Sequence, residues 1–287
     1  VAKNPEGLDW GSLKGRLEDL YRRYNRRALV YPDPLIFLYS YPSLRDREVV
    51  GLIASCLAYG RVQQILKSVD WVLERLSPSP AAFLESSSPR DLEVLALGFR
   101  HRFTTQEELA LLLKGMRGVI RRWGSLYQGF CRGLEEGDST FLQALSRFVS
   151  LLSSEAGGRP SSLLPDPDKG SACKRLHLFL RWMVRRDAVD PGGWEDLESH
   201  RLVVPLDVHM HRISLGLGLT RRRQADLKTV LEVTRAFAMV NPGDPVKYDF
   251  VLTRWGIREE LTVGGLLREM EDIRGGVNGV EVEGDGD

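Results

Sequence analysis

The chain has 287 residues, 43% hydrophobic and 28% charged, and its 40 Lys and Arg nearly balance its 39 Asp and Glu for a formal charge of +1. That mixture belongs to a soluble globular protein and excludes a disordered or fibrous chain. The most apolar stretch, Val49 to Tyr59, is shorter than the roughly 18 residues that suggest a membrane span, and no secretory leader pattern opens the sequence, so a cytoplasmic protein without a membrane partner is expected. Cys56, Cys131 and Cys173 form no CxxC pair and are too few for a four-cysteine zinc or iron–sulfur site, which leaves buried free thiols. Charge is unevenly spread. Basic residues gather at Arg22, Arg23, Arg26 and Arg27, between Lys174 and Arg186, and at Arg221 to Arg223, whereas the residues after Gly276 are acidic and Gly-rich. The body is therefore more basic than the total, which suits either a solvated helix face or a nucleic-acid partner.

In chain order, Leu13, Leu17, Leu20, Tyr21 and Tyr24 recur at steps of three and four and predict a first helix, ended by Tyr31-Pro-Asp-Pro. Ser43 to Asp46 can cap a second, with Val49, Ile53, Cys56 and Leu57 as its buried stripe. Tyr59-Gly60 interrupts it before a helix over Val62 to Leu76, and Pro78 and Pro80 punctuate. Further helices are predicted over Glu107 to Trp123 and Thr140 to Leu152. Ser, Gly, Pro and Asp between Ser153 and Lys169 mark a loop into a helix over Ser171 to Arg186, with Leu176, Phe179, Leu180 and Met183 on the core face and Lys174, Arg181 and Arg185 on a basic flank. Asp190-Pro-Gly-Gly is a turn, and Arg201 to Pro205 should run extended because Pro disfavours helix at the residue before it. Asp207 then stands where a helix cap belongs, ahead of Met210, Ile213 and Leu217, with Gly218 as the stop. Helices over Leu227 to Met239 and Val246 to Ile257 complete the order. No stretch sustains period-two alternation, so the fold class expected is all-α.

The run Val204-Pro-Leu-Asp-Val-His-Met-His-Arg212 resembles the V-D-T-H-x-x-R signature of the helix-hairpin-helix, Gly/Pro-Asp DNA glycosylase superfamily. Asp207, His209 and Arg212 match it position by position, while Val208 replaces the usual Thr. Upstream, Gly170-Ser-Ala-Cys-Lys-Arg175 resembles the end of the superfamily's L-P-G-V-G-R-K-T hairpin, with Lys174 on its lysine and Gly170 on its first loop glycine. Leu164 to Gly170 makes that hairpin longer and omits the second loop glycine. Asp207 follows Lys174 by 33 positions, a spacing similar to the archaeal 8-oxoguanine glycosylase branch, which also lacks an iron–sulfur cluster. Looser likeness over Arg47 to Arg61, Lys174 to Arg186 and Asp244 to Phe250 points to an uncharacterised bacterial and archaeal family near these enzymes.

The resemblance implies a two-lobed helical glycosylase: residues 46–186 as a barrel lobe with the hairpin, 1–45 plus 187–273 as a second lobe, and 274–287 as a flexible acidic tail. It implies a monomer acting on double-stranded DNA that contains a damaged base, nucleoid-associated, with no cofactor and no metal. Lys174 and Asp207 would be catalytic. Tyr59, Arg61, Gln63, Gln64, Gly170, His209, Arg212 and Asp249 would contact DNA or the base. The physical chemistry agrees with the pairing. Base excision passes through a sugar of oxocarbenium character, which a fixed carboxylate stabilises while helping to deprotonate an attacking amine. A partly desolvated lysine can attack the sugar carbon and form a Schiff base, giving strand cleavage after base loss. A target base must leave the stack, which needs a pocket with stacking and hydrogen-bonding groups.

Other readings stand beside these. Asp207 could be an N-cap and Lys174 a solvated helix residue. Asp207, His209 and His211 could ligate a metal for phosphohydrolase or nuclease chemistry, but on a helix His209 points away from the other two. A DNA-binding module without catalysis is the third reading. Phe99 to Phe103, with Arg100, His101 and Arg102 between, is an aromatic and basic interleaving suited to a nucleic-acid surface. Trp182, Trp194 and Trp255 sit at helical spacings typical of core.

Overall fold

The computed structural model describes residues 8–159, 161–257 and 261–270, so the acidic tail expected over 274–287 lies outside the described residues. The chain is all-α in class. Its helices are α1 (Trp10–Tyr24), α2 (Leu44–Cys56), α3 (Val62–Arg75), α4 (Pro80–Ser86), α5 (Pro89–Ala96), α6 (Gln106–Trp123), α7 (Leu126–Cys131), α8 (Leu142–Glu155), α9 (Lys174–Val184), α10 (Val208–Gly216), α11 (Leu227–Val240), α12 (Asp249–Ile257) and α13 (Val263–Glu269). Among the described residues the sole strands are β1 (Arg100–His101) and β2 (Thr104–Thr105), an antiparallel pair that no sequence periodicity announced. No described helix is long and apolar enough to cross a membrane.

Side-chain caps set the starts. Asp9, Ser43, Thr105, Asp207 and Asp226 each accept a backbone N–H of the first turn that has no partner inside the helix. Thr105 and Glu108 complete a reciprocal capping box at α6. Every residue of α2 from Glu48 to Cys56 is buried. The helix packs on α9, α4, α7 and the 3₁₀ segment Pro34–Ser40, so it serves as the central post. Glu48 fixes one side of that post: its carboxylate accepts from Leu126 N and Tyr127 N at the start of α7 and from the Trp194 indole. Burial pushes that carboxyl up to about 7 against these three donors. On another side α6 and α8 approach closely, and α1 packs on α11 and α12 while α10 packs on α12 and α13. Trp182, Trp194 and Trp255 are all core residues. Cys56 and Cys173 are buried free thiols, whereas Cys131 is half-buried.

One helix differs from expectation in an instructive way. Its regular part is Lys174–Val184, shorter at both ends than the predicted 171–186, and Cys173 precedes it in the left-handed region at φ 42°. Every residue from Leu176 to Val184 is buried, so Arg181 and Arg185 do not form a solvated flank. They are matched inside the protein. Arg181 contacts Asp190 and Asp249, and Arg185 contacts Asp187, Asp190 and Asp244. A guanidinium stripe can be enclosed where carboxylates meet its donors, since the pairing offsets the loss of water.

Candidate functional site

A cavity of about 610 Å³ opens where α9, α10 and the start of α3 converge. Lys174 is the first residue of α9 and Asp207 is the N-cap of α10, so both project from helix starts into one space. Asp207 Oδ1 accepts from Met210 N at 2.8 Å, which fixes the carboxylate, and its Oδ2 lies 3.6 Å from Lys174 Nζ. The pair is 30% and 17% exposed, shielded but reachable. The chain leading to Asp207 is extended as Pro205 requires, with Val203, Val204 and Leu206 buried and Val204 N bonded to Thr234 Oγ1 at 3.1 Å.

Charge lies beneath the pair. Arg181 donates from Nε and Nη2 to Asp190 Oδ1 at 3.1 and 3.0 Å, and from Nη1 to Asp249 Oδ2. Asp249 is 3% exposed, and its Oδ1 is buried with no hydrogen-bond partner. Burial pushes the Asp249 carboxyl up to about 6; Arg181 opposes the shift and the neighbouring Asp207 charge adds to it. One wall is Tyr59, whose hydroxyl donates to His101 O at 2.8 Å and lies 2.6 Å from Thr104 Oγ1. The Arg175 guanidinium sits 5.0 Å from the Tyr59 ring centroid and donates to Cys56 O at 2.8 Å. Gly60 stands at φ 97°, a conformation that glycine adopts at no cost and a side chain would strain, and a Cβ there would also displace the Arg102 side chain. A fixed amine and carboxylate, a stacking ring and an unmatched acceptor can together hold and transform a polar, planar ligand.

Residues 33–258 match the family described as protein of unknown function DUF2400. The chain belongs to this family. The cavity lining runs from Asp33 to Thr253, wholly inside the matched span. No curated protein and no solved structure matches the chain.

The expected site residues divide in this DUF2400 chain. Lys174, Asp207, Tyr59, His209 and Asp249 all line the cavity. Arg61, Gln63 and Gln64 do not; they are exposed at the first turn of α3, where Gln64 donates to Ser68 Oγ at 3.2 Å. Gly170 is an exposed left-handed residue outside the lining, and its carbonyl accepts from Leu227 N at 3.1 Å. Arg212 is exposed on α10, also outside the lining. His209 packs its ring on Gly256, where a Cβ would meet Nδ1 at 2.2 Å, and His211 Nε2 turns to Arg222 O at 2.8 Å. Asp207, His209 and His211 therefore do not converge, and among the described residues no group of three or more His, Cys, Asp or Glu is placed for a metal.

Sequence reasoning missed Arg175 and Arg181 as parts of the DUF2400 cavity. A signal for Arg181 existed: Lys174, Leu178 and Arg181 follow the i, i+4, i+7 rule and share one helix face, and all three line the space. In the segment after α5, Phe99 is core against Trp71 and His101 is fully buried, while Phe103 is 78% exposed at the hairpin tip. The aromatic and basic interleaving is thus split between inside and outside.

Proposed function

We propose that this protein is a DNA base-excision glycosylase with abasic-site lyase activity, in which Lys174 is the nucleophile and Asp207 its carboxylate partner. The observation that carries the reading is the 3.6 Å approach of Lys174 Nζ to Asp207 Oδ2 within a cavity of about 610 Å³. The two residues come from different helices, and each falls on the residue of the same type in the superfamily signature. In this reading Asp207 takes a proton from Nζ and stabilises positive charge on the sugar. Nζ then bonds to the deoxyribose C1′ as the bond to the base breaks, the sugar ring opens to a Schiff base, and elimination of the 3′ phosphate cuts the strand.

The substrate proposed is an oxidised purine in duplex DNA, with 8-oxoguanine the leading candidate on branch resemblance. Tyr59 and Arg175 supply a stacking wall for an extruded base, and Asp249 supplies a carboxylate on the side of Arg181. The segment between α8 and α9, including Gly170, is proposed to serve as the DNA-gripping hairpin. Arg61, Gln63, Gln64 and Arg212, exposed around the site, are proposed to meet duplex rather than the base.

The test is borohydride trapping on a duplex with a single 8-oxoguanine, comparing wild type with Lys174→Gln and Asp207→Asn. Wild type should form a covalent complex that Lys174→Gln does not form. Asp207→Asn should slow base release by about 10²- to 10⁴-fold. No complex and no base release across a panel of lesions would remove the catalytic reading and leave a DNA-binding module, in which both substitutions alter affinity alone.

A further inference from the structure

A second cleft, of about 300 Å³, lies past the other end of α9, where Arg27, Arg47 and Arg186 meet the loop over residues 187–193. The eleven residues of α9 separate it from the Lys174 end by about 16 Å, so it is a separate place on the molecule. Its charges do not balance. Arg186 pairs with Glu195. Asp187 is already saturated: Oδ2 accepts from the Tyr21 hydroxyl and lies 3.0 Å from Arg185, while Oδ1 accepts from Val189 N and Asp190 N. Arg27 has no carboxylate partner among the described residues; its guanidinium stacks 3.9 Å from the Tyr39 ring centroid with its fork unused. Arg47 donates to three carbonyls, those of Tyr41, Pro42 and Gly192, and to no carboxylate. Of the five N–H groups of a guanidinium, two on Arg47 stay free. Burial, then the like charge of Arg186, disfavours the charged form of Arg47.

The cleft is also held in shape before any ligand arrives. The Tyr39 hydroxyl donates to Val189 O at 2.5 Å, Gly192 N bonds Trp182 O at 3.1 Å, and Trp194 N bonds Met183 O at 2.8 Å. Gly193 stands at φ 135°, a backbone conformation that side chains rarely adopt, with a Cβ position that would press on Leu44 Cδ1. Guanidinium groups with spare donors, gathered on one cleft whose two carboxylates, Asp187 and Glu195, are already paired, match the planar, bidentate recognition of an oxyanion.

We propose that this cleft binds a phosphate group, carried either by a free phosphomonoester such as a nucleotide or by a nucleic-acid backbone. A phosphate would take up the unused donors of Arg27 and Arg47. The volume is at the small end of ligand pockets and fits a phosphate with a sugar-sized attachment, with Leu38 and Pro191 as apolar walls. The inference does not depend on the reaction proposed for the Lys174 cavity.

The experiment is isothermal titration calorimetry at constant ionic strength on the full chain, with inorganic phosphate, adenosine 5′-monophosphate, and an oligonucleotide without terminal phosphates as probes. The variants are Arg27→Gln with Arg186→Gln together, both at exposed positions so that folding is kept, and Lys174→Gln. Wild type and Lys174→Gln should bind a phosphate probe alike. The double variant should bind it about tenfold more weakly or worse, since each lost charge-assisted bond is worth roughly that factor. A tenfold loss seen only with the small probes assigns the site to free phosphomonoesters, and the same loss with the oligonucleotide assigns it to a strand. Absence of binding to all three probes overturns the proposal. So does an affinity that the double variant leaves unchanged for every probe that binds, or small-probe binding that disappears in Lys174→Gln.

Discussion

His177 is enclosed on α9, 1% exposed, and neither ring nitrogen has a hydrogen-bond partner. Burial lowers its pKa from 6.5 to about 4, so the folded protein holds it neutral. The sign follows from linkage. Below pH 6.5 the unfolded chain takes up a proton that the folded chain refuses until about pH 4, so the stability from a neutral His177 is present above 6.5 and is lost as pH falls through the window to 4. The loss at the bottom of the window is about 3 kcal/mol. His177→Leu removes both the unmet donor and the unmet acceptor. It should raise stability by about 1–3 kcal/mol at neutral pH, and the advantage should grow as the pH approaches 4. Urea unfolding of both proteins at pH 7.5 and about pH 5 checks this; a variant no more stable at either pH would mean that the ring is bonded in solution. Lys174 and Asp207 make the opposite case at the same scale: Asp207 Oδ1 accepts from Met210 N, and Oδ2 lies 3.6 Å from Lys174 Nζ.

At the scale of elements, the contact between α6 and α8 rests on a missing side chain. A Cβ at Gly115 would lie 2.5 Å from the carbonyl oxygen of Leu152, a backbone atom that cannot swing aside. Gly15, in α1, has nothing within 4 Å of the same position. Both sit inside helices, where Ala is favoured over Gly by about 1 kcal/mol. Gly15→Ala should therefore stabilise by up to about 1 kcal/mol, while at Gly115 overpacking of about 1–3 kcal/mol should reverse the sign. Chemical denaturation of the two variants reads the difference directly, and equal effects would show that α8 can retreat. Legibility in the sequence follows from similar physics. The helices with several turns, α1, α2, α6, α10 and α11, are visible in apolar spacing, and the caps of α2 and α10 in Ser43 and Asp207; the caps Asp9, Thr105 and Asp226 came from the structure. Elements of two to eight residues, such as α4, α7 and the hairpin of β1 and β2, are too short for a period to register. The basic stripe of α9 was legible but its surroundings were not, because Asp190, Asp244 and Asp249 lie beyond the helix in the chain and a stripe facing carboxylates has the same spacing as one facing water. In the cavity, the ends of α9 and α10 carried a recognisable pattern. Arg61 and Gln63 had only their place after α2 to recommend them, and helix rotation turns them outward.

Over the whole molecule, a buried ionic network joins parts of the chain that are far apart in sequence. Arg254 on α12 reaches Asp33 at 2.8 Å, Arg181 joins α9 to Asp249 on α12 and to Asp190, and Arg185 joins α9 to Asp187, Asp190 and Asp244. Three guanidiniums face five carboxylates there, and burial, with the Asp207 charge adding to it, leaves the Asp249 carboxyl raised to about 6 in spite of Arg181. Such a network holds segments in register more than it adds net stability, because desolvation cancels much of the attraction; removing one partner is what costs most, since the other charge stays buried. Arg181→Leu leaves Asp249 without a cation and should destabilise the protein by about 3–5 kcal/mol. Adding Asp249→Leu removes the stranded carboxylate and should restore part of that loss, so that the double variant is more stable than Arg181→Leu alone. A double-mutant cycle from thermal or urea unfolding measures the coupling. Strict additivity would mean that Asp249 is hydrated in the folded protein, and the floor of the Lys174 cavity would then be open to water rather than closed by the arginine.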